Sequence, residues 1–151
     1  MARRIIQSDS VFLDSAYAIA LASATDEFHL EALALAEELE ASGTRLLTTW
    51  AVLLEIGNAL SKVQYRHAAI QLLSSLRTDP QMRKYLEIIP PSDQLFEQAS
   101  KFYSERPDKE WGLTDCVSFV VMQARRITEA LTTDEQFRQA GFRALLHEAT
   151  R

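Results

Sequence analysis

Ser10-Val11-Phe12-Leu13-Asp14 is the stretch on which the fold turns. A short apolar, strand-favouring run stops at an acid, which reads as a buried strand with a carboxylate at its exit. The alanine-rich residues 15–24 that follow are helical. Thr25 and Asp26 then cap a helix over 27–41, whose Phe28, Ala32, Leu35, Ala36 and Leu39 recur at helical spacing until Ser42 and Gly43 stop it. One strand, two helical segments and a stop signal are the first part of a β-α-β unit.

The remainder of the chain repeats that alternation. Arg45-Leu46-Leu47-Thr48 reads as a second strand, and a helix over 50–64 carries the stripe Val52, Ile56, Ala59, Leu60 and Val63. A further helix over 66–77 is broken by Asp79-Pro80. Tyr85-Leu86-Glu87-Ile88-Ile89 is a third strand, ended by Pro90-Pro91, and Ser92 caps a helix reaching 105. Arg106-Pro107-Asp108 is a loop, and Thr114 opens an apolar helix to 126. Ala130-Leu131-Thr132-Thr133 is a fourth strand, 134–139 a short helix, Gly141 a turn and 142–146 a last strand. Strands that alternate with helices across connections too long for hairpins predict an α/β fold: one domain with a mostly parallel central sheet of four to five strands flanked by helices. The domain is expected to span residues 10–147, with a leader over 1–9 and a tail over 148–151.

Composition sets the outer bounds. The 151 residues are 47% hydrophobic and 25% charged, enough for a self-sufficient core. The single cysteine, Cys116, excludes an intrachain disulfide and reads as a small core residue; His29, His67 and His147 share no zinc-ligand spacing. The net charge of −5 argues against a generic basic nucleic-acid binder, though not against an enzyme that meets phosphate through metal ions. No apolar run is long enough to span a bilayer, and the leader, basic at Arg3 and Arg4, lacks the apolar core of a signal peptide. The expected compartment is the cytoplasm. There is no P-loop lysine motif and no GxGxxG fingerprint.

Most of the 21 acids lie where acids belong, such as Glu31, Glu37, Glu38 and Glu40 on a polar helix face. Asp14, Glu55 and Asp115 instead stand in apolar company, and Asp134 follows the fourth strand. Each alone has a plainer reading: Asp115 and Asp134 as helix caps, Glu55 as a solvent-facing helix acid, Asp14 as a turn residue. Together they occupy strand exits and the first turns of helices, where the crevice of an open α/β sheet gathers its ligands. Four converging carboxylates repel one another unless cations sit between them, and all-oxygen sites of this kind suit Mg²⁺ or Mn²⁺. The matching chemistry is hydrolysis of a phosphodiester by a metal-activated water. Thr114, Thr132 and Thr133 are candidates to hydrogen-bond a metal water or phosphate, and Asn58 to orient Glu55. Trp111 is a candidate to stack on a base, and Arg125-Arg126 and Arg66-His67 to hold phosphates. Core packing for the tryptophan and solvated helix ends for the cations are the alternatives.

At four stretches the sequence resembles the PIN-domain ribonucleases, specifically the VapC-type toxins of bacterial toxin–antitoxin pairs. These are Phe12-Leu13-Asp14-Ser15; Leu54-Glu55-Ile56-Gly57-Asn58-Ala59-Leu60; Leu113-Thr114-Asp115-Cys116-Val117-Ser118-Phe119; and Leu131-Thr132-Thr133-Asp134-Glu135-Gln136-Phe137. The resemblance covers roughly residues 10–146. It implies a mostly parallel sheet flanked by helices, and an endoribonuclease in which Asp14, Glu55, Asp115 and Asp134 bind Mg²⁺ or Mn²⁺. It also implies an RNA substrate, often a tRNA or rRNA loop, a cognate antitoxin that covers the site, and a homodimer. Gly112 stands where the family usually has serine, and the first acid comes later than usual. The leader is expected to extend the first strand, touch RNA or fray. Leu30 and Leu33 broaden the apolar face of the 27–41 helix, as core or as an antitoxin groove. The rival readings are a PIN nuclease of RNA processing, a catalytically silent protein-binding α/β module and, more weakly, a hydrolase of small phosphates.

Overall fold

The computed structural model describes residues 4–149. Five strands form one sheet in the order β3-β2-β1-β4-β5, and all four ladders are parallel. The strands are β1 (Ser10–Leu13), β2 (Arg45–Thr49), β3 (Leu86–Ile89), β4 (Glu129–Leu131) and β5 (Arg143–Ala144). The helices are α1 (Ser15–Ala22), α2 (His29–Ser42), α3 (Trp50–Ala59), α4 (Val63–Thr78), α5 (Pro80–Arg83), α6 (Asp93–Glu105), α7 (Leu113–Arg125), α8 (Glu135–Gln139) and α9 (Leu145–Glu148). The central strand β1 is apolar because both its neighbours and the helices cover it: Val11, Phe12 and Leu13 are buried. Sequence order runs outward from β1 through β2 to β3, then crosses back by way of α6 and α7 to β4 on the other side of β1. The strand order therefore reverses between β1 and β4, and in open α/β sheets ligands gather at the carboxyl ends of the strands at such a point.

Local chemistry accounts for the boundaries. The Thr49 side chain accepts from Val52 N at the start of α3, Ser92 accepts from Leu95 N at the start of α6, and Gly43 ends α2 at φ 66°. The helix expected over 50–64 stops at Ala59; Lys62 then serves as the N-cap of α4, which starts three residues ahead of its expected position at 66. Asp79-Pro80 does break that helix and at once begins a short new one, since Asp79 accepts from Gln81 N and Pro80 needs no partner for a missing N–H. The last strand, expected over 142–146, is limited to Arg143–Ala144. Its apolar continuation, Leu145 and Leu146, is buried in the turn of helix α9 instead.

The leader is not frayed where it is described. Ile6 is fully buried, and four successive backbone amides are held by two carboxylates. Ile5 N and Ile6 N donate to Glu38, each at 2.7 Å, while Gln7 N and Ser8 N donate to Glu129. Arg143 closes the arrangement by pairing with Glu129, with Glu148 and with the carbonyl of Ile5. Arg4 is exposed, and Arg3 lies outside the described residues, as do the last two positions of the expected tail. Among the described residues no helix is long and apolar enough to cross a membrane.

Candidate active site

Asp14 follows β1 directly and occupies the N-cap position of α1, yet its side chain caps nothing. It is 4% exposed, and its Oδ2 accepts from Thr132 Oγ1 at 2.7 Å. Thr132 follows β4, so the bond spans the carboxyl ends of the two strands at the reversal point. The same hydroxyl accepts from Asp134 N at 3.0 Å, which places the next acid beside the first. Asp134 in turn caps α8 by accepting from Gln136 N at 3.1 Å. Capping and membership of the acid cluster are thus compatible for this residue.

Asp115 lies in the first turn of α7 and accepts from Gly112 N at 3.0 Å through Oδ2. Gly112 suits this approach: a Cβ there would stand 3.6 Å from the same oxygen, an ordinary contact, so the glycine is a tolerated choice and not a steric need. Glu55 reaches the site from α3 and accepts a short hydrogen bond from Ser15 Oγ. Thr48, at the end of β2, donates to Leu13 O at 2.7 Å and fixes the strand exit that carries Asp14.

Electrostatics tie the four acids together. Burial pushes the Asp14 carboxyl up to about 7; the Thr132 hydroxyl opposes that rise, and the charges of Glu55 and Asp115 add to it. Burial likewise pushes Asp115 up to about 6 against the Gly112 N–H, with help from Asp134 and Glu55. Asp14 thus feels Glu55 and Asp115, and Asp115 feels Asp134 and Glu55, at the carboxyl ends of β1 and β4. Among the described residues, however, no three His, Cys, Asp or Glu side chains are closed into a ligand cage. The donor set is nevertheless the one a hard divalent cation takes: all oxygen, with Asp14 and Asp115 raised by burial and by neighbouring carboxylates, a cost that a cation relieves.

The secondary candidates divide. Thr132 is a site residue through its two hydrogen bonds. Thr133 offers its carbonyl, which binds His147 Nε2. Thr114 is half-buried beside Asp115 and passes its carbonyl to Ser118 Oγ. Asn58 is exposed, and it is Ser15 that holds Glu55. Trp111 belongs to the core: it is 4% exposed, its Nε1–H donates to Gln139, and its ring stacks on Phe102 and meets Phe119 edge-on. Arg125 is paired with Glu87 at 2.7 Å, Arg126 turns left-handed to end α7, and Arg66 donates to Ser61 O. Leu30, 75% exposed, and Leu33 are not core. Cys116 is fully buried, with its thiol pushed up to about 11 by burial and by Asp115, which is the state of an inert core thiol. Ser15 and His147 were not foreseen as contributors. Ser15 had one local signal, its place beside Asp14 at the strand exit; the bond from His147 to a site carbonyl has none.

Comparison with known proteins bears on the family and the fold. The PIN-domain family model matches residues 11–143. The crystal structure of VapC20 of Mycobacterium tuberculosis, a toxin that cleaves the sarcin–ricin loop, superposes with a TM-score of 0.74 at 26% identity, over 87% of this chain and 95% of that one. No curated protein matches the sequence.

Proposed function

The chain belongs to the PIN-domain family and is a VapC-type ribonuclease, and from that premise we propose that it cuts RNA with Mg²⁺ or Mn²⁺ held by Asp14, Glu55, Asp115 and Asp134. What supports the assignment is the coupling of Asp14 and Asp115 to each other's neighbours, Glu55 and Asp134, at the β1/β4 reversal, with Asp14 buried and raised to about 7. When bound, such an ion lowers the pKa of a water and offsets charge on the phosphate.

The chain's own residues do the rest. Asp14, Asp115 and Asp134 supply the ligand oxygens. Thr132 keeps Asp14 and the Asp134 backbone at a fixed separation, and Ser15 aims Glu55, which completes the site or takes the proton of the attacking water. No protein nucleophile is needed: the water oxygen would bond to phosphorus as the bond to the 3′ or 5′ oxygen breaks, and the leaving oxygen would take a proton from solvent. We further propose a structured RNA as substrate, since the similar toxin acts on the sarcin–ricin loop, with a tRNA loop as the other candidate. The exposed Leu30 and Leu33 offer an antitoxin helix an apolar face, and a cytoplasmic homodimer completes the picture.

The test is incubation of the purified protein with total cellular RNA. Discrete fragments are expected with Mn²⁺ or Mg²⁺ and none with EDTA. RNA left intact under every condition, by protein that binds neither ion, would overturn the proposal in favour of a silent module.

A further inference from the structure

The segment Thr132-Thr133-Asp134 leaves the sheet before it reaches the site. The β1–β4 ladder ends at Leu13↔Leu131, so the carbonyls of Thr132 and Thr133 have no strand partner. Both are taken up by α9, more than a dozen residues later in the chain. Leu146 N donates to Thr132 O at 3.2 Å, and His147 Nε2 bonds Thr133 O. A carbonyl oxygen only accepts, so Nε2 carries the proton. The His147 ring is itself fixed edge-on to Phe28, with centroids 5.8 Å apart at 86°. One residue further on, Glu148 is tied to Arg143.

We propose that His147 is a positioning residue of the metal centre: its Nε2–H on the Thr133 carbonyl holds the Thr132–Asp134 segment so that the Thr132 hydroxyl can bridge Asp14 and the Asp134 backbone. The inference rests on the metal reading of the preceding section. It makes the C-terminal turn a working part of the site, although it contributes no ligand. The mechanism is steric and local. Without the donor, the Thr133 carbonyl must turn to find water, and because that carbonyl and Asp134 N lie in one planar peptide unit, the rotation carries Asp134 N away from Thr132 Oγ1.

Three proteins test it: the parent, His147→Phe, which keeps an aromatic edge for Phe28 and removes the donor, and His147→Gln, whose amide N–H reaches the same carbonyl. Mn²⁺ affinity by calorimetry is the first readout, with kcat and KM on the cleaved RNA as the second and melting temperature as the check on folding. His147→Phe should weaken Mn²⁺ binding by about tenfold, the lower end of what loss of an outer partner of a metal site costs. It should lower kcat while leaving KM for RNA near the parent value, and His147→Gln should recover most of both. Parent-like Mn²⁺ affinity in folded His147→Phe would overturn the inference. So would His147→Gln being as impaired as His147→Phe. Should His147→Phe fail to fold, His147→Ala takes its place under the same criteria. A parent that binds no Mn²⁺ would overturn the metal reading itself, and the inference with it.

Discussion

Asp14 carries a carboxylate to a place where only 4% of its surface meets water. Because a unit of pKa is about 1.4 kcal/mol, its rise to about 7 means that ionising it costs the folded state on the order of 4 kcal/mol. Asp115, at about 6, adds to the same effect. Both folded-state values lie above the unfolded value of 3.8, so between these limits the folded protein holds protons that the unfolded chain has released. Stability from these acids is complete below about pH 4 and is lost as pH rises through 6 to 7. In EDTA the protein should therefore melt several degrees higher at about pH 5 than at about pH 8, as followed by circular dichroism. A melting temperature that climbs over that interval would contradict the placement of these acids. Three of the four acids were legible as candidates because a carboxylate within an apolar run is conspicuous, and Asp134 because it follows the fourth strand. Their supporting atoms were not. Thr132 Oγ1 and Asp14 are 118 residues apart, and Ser15 and Glu55 are 40 apart, so no local pattern announces either bond.

At the scale of the element, the alternation of strand and helix was readable because each strand is a short apolar run closed by polar or breaking residues. Its ends were less so. A pattern such as Phe142-Arg143-Ala144-Leu145-Leu146 does not tell a strand from a buried turn of helix; here the β4–β5 ladder ends at Ala130↔Ala144 and the two leucines turn inward. The leader was the larger surprise, since it is tied down by Glu38 and Glu129, acids placed far off in the sequence. Glu129 is 1% exposed and shares Arg143 with Glu148 and Ile5 O, which joins the first and last described segments at one end of the sheet. Removing one member of a buried ion pair leaves the other charge uncompensated. Arg143→Ala should therefore lower unfolding stability by about 3–5 kcal/mol in urea titrations. A loss of less than about 1 kcal/mol, the range of surface pairs, would mean that the clasp does not hold the leader.

The whole molecule is a scaffold that places costly charge at the point where the strand order reverses. A cation that binds only the folded state should recover what the acids cost. At one hundred times its dissociation constant, Mn²⁺ should add about 2.7 kcal/mol of stability, or several degrees in melting temperature, and this gain should vanish in Asp115→Asn. An equal gain in the variant would place the ion elsewhere. The fold could be inferred from the chain alone; the RNA target could not, because recognition of a folded RNA depends on the shape of a surface and not on a motif. The most direct test of the account is Asp14→Asn, which keeps the shape of the side chain and removes its charge. The account predicts that Mn²⁺-dependent cleavage of cellular RNA falls by more than about 100-fold, beyond what loss of an outer partner alone costs, while in EDTA at pH 8 the variant melts above the parent. A variant that cuts as fast as the parent would contradict it.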